Sequence, residues 1–366
     1  MATQKKNEQK IDIEKVLEEK LKVVDKVIAK YIPKMYDERT LEYTLGPATY
    51  EYDLKAINKA ITEPVWDILE RGGKRWRPVL FLLILEAFSE NPGRFMDFAI
   101  IPELVHNGTL IVDDFEDQSE FRRGKECIHE IYGDDVAVNA GNTIYFLPLI
   151  VLIKNIENVP VERQKAIYDV YAQEMINISF GQGTDIAWHR GLVRDEEITD
   201  EHYLQMTAYK TGTLARMSAK IAAILCGLDS KLIHEIGCFA ESVGIAFQIQ
   251  DDILDLKGEK FATKKGGLGK DITEGKRTLM VINSVRKASA QDKERLIQIL
   301  KIHTQDQKLI DEAISLMEKY GAIEYAKNVA TQMVTKSWND IQGIIPQSEA
   351  KDMLKAFVTF LVERAI

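Results

Sequence analysis

Two short stretches carry carboxylates in a spacing that could do chemistry. "LIVDDFEDQ" places Asp113, Asp114 and Asp117, with Glu116 between them, directly after an apolar run. "FQIQDDILDL" repeats the arrangement with Asp251, Asp252 and Asp255. On an α-helix the first and fifth residues after such a run, such as Asp113 and Asp117, lie about 40° apart and the second about 100° from the first. Three carboxylates then crowd one end of one face, where they repel each other unless a cation binds them. A hard divalent ion such as Mg²⁺ takes carboxylate oxygens and completes its shell with water and substrate phosphate oxygens. A solvated acidic face explains either motif alone. Two of them by chance, each after an apolar run, occur in on the order of one chain in several hundred.

Acids that hold a metal against a phosphate leave the remaining phosphate charge to Arg and Lys. "RGGKRWRP" offers Arg71, Lys74, Arg75 and Arg77 beside a glycine pair, Arg122 and Arg123 follow the first acidic cluster, and Lys210 precedes "TGT". Lys264, Lys265, Lys270, Lys276 and Arg277 lie in a polar segment after the second cluster. Each cation has an ordinary alternative as a solvated or solubility charge. The "GGK" turn lacks the first glycine of a P-loop and follows a helical pattern, so it is no nucleotide signature. His106 precedes Asp113 by two helical turns, on the same face, as a ligand contact or as a structural histidine.

The elements that must position these groups are helical. Apolar residues recur every three or four positions over Ile13–Ile32, Ile57–Leu69, Pro78–Phe88, Met96–Val112, Arg163–Phe180, Ala215–Cys226, Ile233–Leu256, Lys293–Ile302, Leu309–Tyr320 and Asp352–Ile366. "TLEYTLGPATYEYDL", Thr40 to Leu54, is the one β-like or irregular piece, and Lys257 to Thr278 reads as a long, functional loop. No linker or internal repeat divides the chain. The expectation is an all-α, large single-domain helical bundle at 41–366, with a peripheral Lys/Glu-rich helical segment at 1–40.

Bulk properties narrow the class. Of 366 residues 45% are hydrophobic and 29% charged, an ordinary globular balance, and the net charge of -9 argues against a nucleic-acid partner. Cys127, Cys226 and Cys238 are odd in number and widely spaced, which fits a reducing, cytoplasmic setting. The N-terminus lacks the apolar core of a signal peptide. "IYFLPLIVLI", Ile144 to Ile153, is too short to span a bilayer, so the protein is expected to be soluble, with peripheral membrane contact left open.

The motifs together, "GGKRWRP", "LVHNGTLIVDDFEDQSEFRRG", "GQGTDIAW", "KTG", "FQIQDDILD" and "GKDITEGKRT", resemble those of the trans-isoprenyl (polyprenyl) diphosphate synthases, most of all the geranylgeranyl diphosphate synthases. The resemblance implies an isoprenoid-synthase bundle, usually a homodimer, with the two acidic motifs facing each other across a central cavity. It implies three Mg²⁺ ions held by Asp113, Asp117 and Asp251, with Asp114, Asp252 and Asp255 as further or water-mediated contacts. Arg122, Lys210 and Lys276 would bind an allylic diphosphate (dimethylallyl, geranyl or farnesyl). Lys74, Arg77, His106 and Arg123 would hold isopentenyl diphosphate, and Thr211 and Gln248 would face the developing cation. The loop reads "KKGGLGKD", with its lysine displaced from the family's spacing, so Lys264, Lys265 and Lys270 all stand for one diphosphate contact. Gly108 and Thr109 occupy the chain-length positions, and both are small. A deeper plug near Tyr145, Phe146 and Leu147 then sets a C20 product, longer chains being the alternative. A class I terpene cyclase would lack the second acidic motif and the second diphosphate clamp, and a non-catalytic partner subunit would have lost one motif.

Overall fold

A computed structural model describes residues 12–89, 91–257 and 268–362. Its backbone is a bundle of helices around two that are apolar on nearly every side. Helix α5 (Trp76–Phe88) buries every residue from Trp76 to Leu85. The chain reaches it through α1 (Ile13–Tyr31), α2 (Glu38–Leu45), α3 (Leu54–Ile57), a π-helical turn (Asn58–Thr62) and α4 (Glu63–Glu70). After α5 come α6 (Ile100–Glu116), α7 (Ile128–Tyr132), α8 (Asp134–Phe146), α9 (Ile150–Lys154), α10 (Val161–His189) and α11 (Asp200–Thr207). A second π turn (Ala208–Gly212) leads into α12 (Thr213–Leu225), every residue of which is buried except Lys220. A helix buried on nearly every side belongs in the centre, and the polar stripe of α12 is met there by Glu174 and Glu241. There α12 packs on α5 and on α13 (Ser230–Lys257), and α13 packs in turn on the helix Ala322–Ile341. One continuous hydrophobic cluster runs from Ile13 to Val362.

Three expectations from sequence change. Within the segment read as peripheral, residues 13–31 pack into the bundle. Helix α1 buries Val24, Val27, Ile28 and Tyr31 against α5 and the C-terminal helix Glu349–Val362, and Lys20 pairs with Glu86 of α5 at 2.6 Å. The β-like stretch after Thr40 is helical to Leu45, because Asp37 and Thr40 form a capping box, and it then runs irregularly to α3. Among the described residues the only strands are Phe121–Arg122 and Lys125–Glu126, a hairpin just after the first acidic motif. The long loop closes with a short helix, Lys270–Thr273; Lys264 and Lys265 lie outside the described residues.

The apolar run from Ile144 does not stand alone either. It belongs to a 21-residue helical stretch, Asp134–Lys154, and with Pro92–Glu116 and Ser230–Lys257 it is long and apolar enough by length and composition to cross a bilayer. These stretches are 44%, 67% and 56% buried inside the protein, and two of them carry Asp113 and Asp251.

Gly108 serves packing. A Cβ there would sit 2.9 Å from the carbonyl oxygen of Gly141 and 3.0 Å from Ile144 and Tyr145, so this glycine lets α6 and α8 cross at backbone contact. Gly108→Ala should therefore cost roughly 1–3 kcal/mol of stability through overpacking, measured by denaturant unfolding. A variant as stable as the parent would mean that the crossing is looser than described.

Candidate active site

A cavity of about 1570 Å³ opens between α6, α10, α12 and α13. Its upper wall is polar, with Asp113, Asp251, Asp252, Lys210 and Lys276; its lower wall includes Thr109, Val112, Tyr145, Leu149, Tyr171 and Met175. A smaller cavity of about 540 Å³ adjoins it and is lined by Asp117, Glu274 and Lys270. Both acidic motifs sit at helix C-termini, where the backbone dipole already presents its negative end. Burying carboxylates there demands cations.

The protein supplies them as side chains. The Lys210 ammonium lies 3.0 Å from Asp113 Oδ1 and 2.6 Å from Asp185 Oδ2. The Lys276 ammonium lies 3.0 Å from Asp117 Oδ2, and Lys74 lies 3.5 Å from Asp251 Oδ1. Burial pushes Asp113 up, but Lys210, Lys276 and Arg122 outweigh it and hold its carboxyl well below the usual carboxylate range. Burial together with Asp113 and Glu274 pushes Asp117 up to about 7 in spite of Lys276. Lys210 and Lys276 are raised by the same acids against their own burial, so both stay charged.

The six motif aspartates divide into two groups. Asp113 and Asp251 line the large cavity and Asp117 the small one. Asp114 is 1% exposed, does not line either cavity and accepts three hydrogen bonds from Arg122, including one from Nε at 2.8 Å. Asp255, equally buried, accepts the backbone N–H of Asp271 through Oδ2 at 2.9 Å, anchoring the returning loop. Asp252 lines the cavity but accepts from the Tyr203 hydroxyl at 2.7 Å and from Gln248 at 2.8 Å, while Thr211 donates to Gln248 at 3.0 Å. Asp114, Asp252 and Asp255 are therefore braces.

Arg77, His106, Arg122, Arg123 and Lys74 gather on the other side of the polar end. Burial, with Arg123 nearby, pushes Arg77 down to about 10, and burial and Arg122 do the same to Arg123. Burial and then Arg77, Arg123 and Arg122 push His106 well below its usual value, leaving a neutral imidazole. Arg77 Nε is buried without a hydrogen-bond partner. Cations that repel one another out of water fit a multiply charged anion. Arg71 and Arg75 do other work. Arg71 pairs with Asp67 at 2.9 Å and donates to the Arg122 carbonyl, and Arg75 pairs with Asp25 at 2.8 Å.

Sequence reasoning missed Gln182 and Asp185. Gln182 donates to Asp113 at 2.8 Å and to Glu116 at 2.7 Å, and Asp185 holds Lys210. Their spacing of three within "GQGTD" puts them on one helix face, which was the available signal. Lys210 and Thr211 sit in the π turn, a backbone irregularity that sequence does not announce. Thr109 lines the cavity as expected; Gly108 turns to α8 instead. Lys270, of the three alternative loop lysines, reaches Ser119 Oγ at 3.0 Å.

All donors at the motifs are oxygens, which suits a hard divalent ion. Among the described residues no three Asp, Glu, His or Cys side chains converge closely enough to hold an ion unaided.

Residues 58–317 match the polyprenyl synthetase family. A short chain isoprenyl diphosphate synthase of Methanothermobacter thermautotrophicus is 34% identical over 344 residues, 94% of this chain and 99% of that one. A geranylfarnesyl diphosphate synthase of Natronomonas pharaonis is 31% identical over 81% of this chain and 88% of its own length. The crystal structure of a geranylgeranyl pyrophosphate synthetase from Pyrococcus horikoshii superposes with a TM-score of 0.80 at 31% identity, covering 96% of this chain and 99% of that one.

The π turn makes the sharpest structural demand. A Cβ on Gly181 would lie 2.4 Å from the Lys210 backbone nitrogen, whereas one on Gly183 meets nothing within 4 Å. Gly181→Ala should displace Lys210 and lower kcat by about 100-fold, with Gly183→Ala changing it little. Equal kcat values in steady-state assays of both variants would show that Lys210 needs no such seat.

Proposed function

This chain belongs to the polyprenyl synthetase family of prenyltransferases, and we propose that it joins isopentenyl diphosphate head-to-tail to an allylic diphosphate, giving linear all-trans geranylgeranyl diphosphate (C20). The observation that carries this reading is the pairing of two separate cation groups, each suited to a diphosphate, above one cavity with an apolar lower wall. Lys210, Lys276 and Arg122 take the allylic diphosphate. Lys74, Arg77, His106 and Arg123 take isopentenyl diphosphate.

Asp113, Asp117 and Asp251 would hold Mg²⁺, three ions in our proposal, which would supply positive charge to the departing diphosphate. The charged Lys210 and Lys276 do the same from the protein side. As the allylic C–O bond breaks, the alkene of isopentenyl diphosphate, fixed by its own clamp, bonds to the allylic carbon. A proton then leaves to the released pyrophosphate, and a double bond re-forms. Neutral His106 can donate a hydrogen bond to phosphate without adding a fourth charge to the arginine group. The oxygens of Thr211 and Gln248, tied together at 3.0 Å, face the cationic carbon. Below it the tail displaces water, which would otherwise quench the cation.

Product length follows from the lower wall. Thr109 leaves the first turn open, and the Tyr145 ring, half-buried beside Gly108, is the first bulky group beyond it. Relatives named for C20 and for C25 products both resemble the chain, so the geranylfarnesyl length is the second reading. Phe146, Ile176 and Phe180 line the cavity yet are 69%, 54% and 69% exposed, an apolar face on α8 and α10 that suits a second copy of the chain in a homodimer. The three cysteines are free thiols, in keeping with a cytoplasmic setting.

Incubation with Mg²⁺, labelled isopentenyl diphosphate and C5, C10 or C15 primers should yield linear C20 diphosphate on chromatography; cyclised hydrocarbon would make the chain a terpene cyclase. Tyr145→Ala should shift the product to C25 or longer with kcat within about tenfold, and an unchanged C20 product would place the plug elsewhere. Phe180→Asp should convert a dimer to a monomer in sedimentation; a parent that already sediments as a monomer rules out the dimer.

A further inference from the structure

Glu274 has no part in the diphosphate and metal assignments, yet charges on three segments meet at it. Its side chain is 9% exposed. Oε2 accepts the Lys276 ammonium at 2.5 Å, and that same ammonium lies 3.0 Å from Asp117 Oδ2. Oε1 accepts Ser119 Oγ at 3.2 Å and faces the Lys270 ammonium at 3.4 Å. Lys270 also donates to Ser119, two residues beyond Asp117. One lysine is thus shared by two buried carboxylates, and a second lysine offsets the extra negative charge.

We propose that Glu274 is a positioning residue that retains the Lys276 ammonium while Asp117 exchanges that lysine for a divalent ion. The inference rests on the reading of Asp117 as a metal ligand. An ion arriving at Asp117 displaces an ammonium already paired there. Without a second acceptor that ammonium would be left buried and unpaired, which is strongly unfavourable. Glu274 keeps it paired and close to where the diphosphate sits. The same carboxylate, by its charge, favours a cation in the site and opposes an anion that arrives without metal.

Removing the charge must therefore move two affinities in opposite directions, which a merely structural loss would not do. In Glu274→Gln, Lys276 pairs with Asp117 alone. Calorimetric titration of the full chain reads this directly. MnCl2 alone should bind about fivefold or more weakly than to the parent, and sodium pyrophosphate in the presence of chelator about fivefold or more tightly. Lys270→Met, which leaves Glu274 fully to Lys276, should bind Mn²⁺ more tightly than the parent and serves if Glu274→Gln does not fold. Weakening of both ligands in Glu274→Gln, or no change in either, overturns the proposal. A parent that binds neither Mn²⁺ nor pyrophosphate with Mn²⁺ overturns the reading of the site itself, so the two failures are told apart.

Discussion

Carboxylates taken out of water at the negative ends of two helices set the terms for the rest of the molecule. Asp113 and Asp114 close α6, and Asp251, Asp252 and Asp255 lie in the last turns of α13. Neither helix can end this way unless positive charge reaches it from elsewhere in the chain. It comes from the turn before α5 (Lys74), from the hairpin (Arg122), from the π turn (Lys210) and from the end of the long loop (Lys276). Because the three lysines are remote in sequence from the acids they pair with, these pairs staple the bundle together at one end. The same arrangement leaves lysines, rather than a closed ligand cage, on the acids that face the cavities, and a lysine can be exchanged where a buried Arg–Asp brace cannot.

That division also explains what the sequence could and could not reveal. The acidic motifs, the basic stretches and the helical periodicity were legible because they depend on residue type and local spacing. Which aspartate faces substrate was not. Asp113 and Asp114 are neighbours of identical chemistry, and only the hairpin that carries Arg122 back onto Asp114 separates a ligand from a brace. Gly108 was read as empty space beside a tail because smallness suits both an open tunnel and a close helix crossing. The carbonyl of Gly141, thirty-three positions on in the sequence, decides between them. Helix α1 looked peripheral for a related reason. Its many lysines and glutamates conceal a narrow buried stripe of Val24, Val27, Ile28 and Tyr31 that matters only once α5 is beside it.

The π turn at Ala208–Gly212 shows how backbone geometry and charge reinforce each other. One extra residue in the turn aims both Lys210 and Thr211 at the cavity, where a regular helix would place neighbours about 100° apart. Such a turn is less stable than an α-helix by itself, and here it is held from both sides. Gly181 of α10 admits its backbone, and Asp185, one helical turn on, takes the lysine at 2.6 Å. The "GQGTD" motif therefore works as a unit: a glycine to seat the turn, a glutamine to steady Asp113, and an aspartate to fix Lys210.

Polar and apolar halves of the cavity must coexist without mixing, and α6 and α10 are built to keep them apart. Along α6 the wall passes from Asp113 through Val112 to Thr109 within about one turn, and α10 changes from Asp185 and Gln182 to Ile178, Met175 and Tyr171 over the same direction. A carboxylate end tolerates water and ions; a tail beneath it does not. With the change of character compressed into a single helical turn, a growing chain leaves the charged end as soon as it forms and meets a mainly apolar wall on the way to the Tyr145 ring. Charge compensation at the top thus rests on the lysine and aspartate pairs, and chain length at the bottom on the side chains around Tyr145.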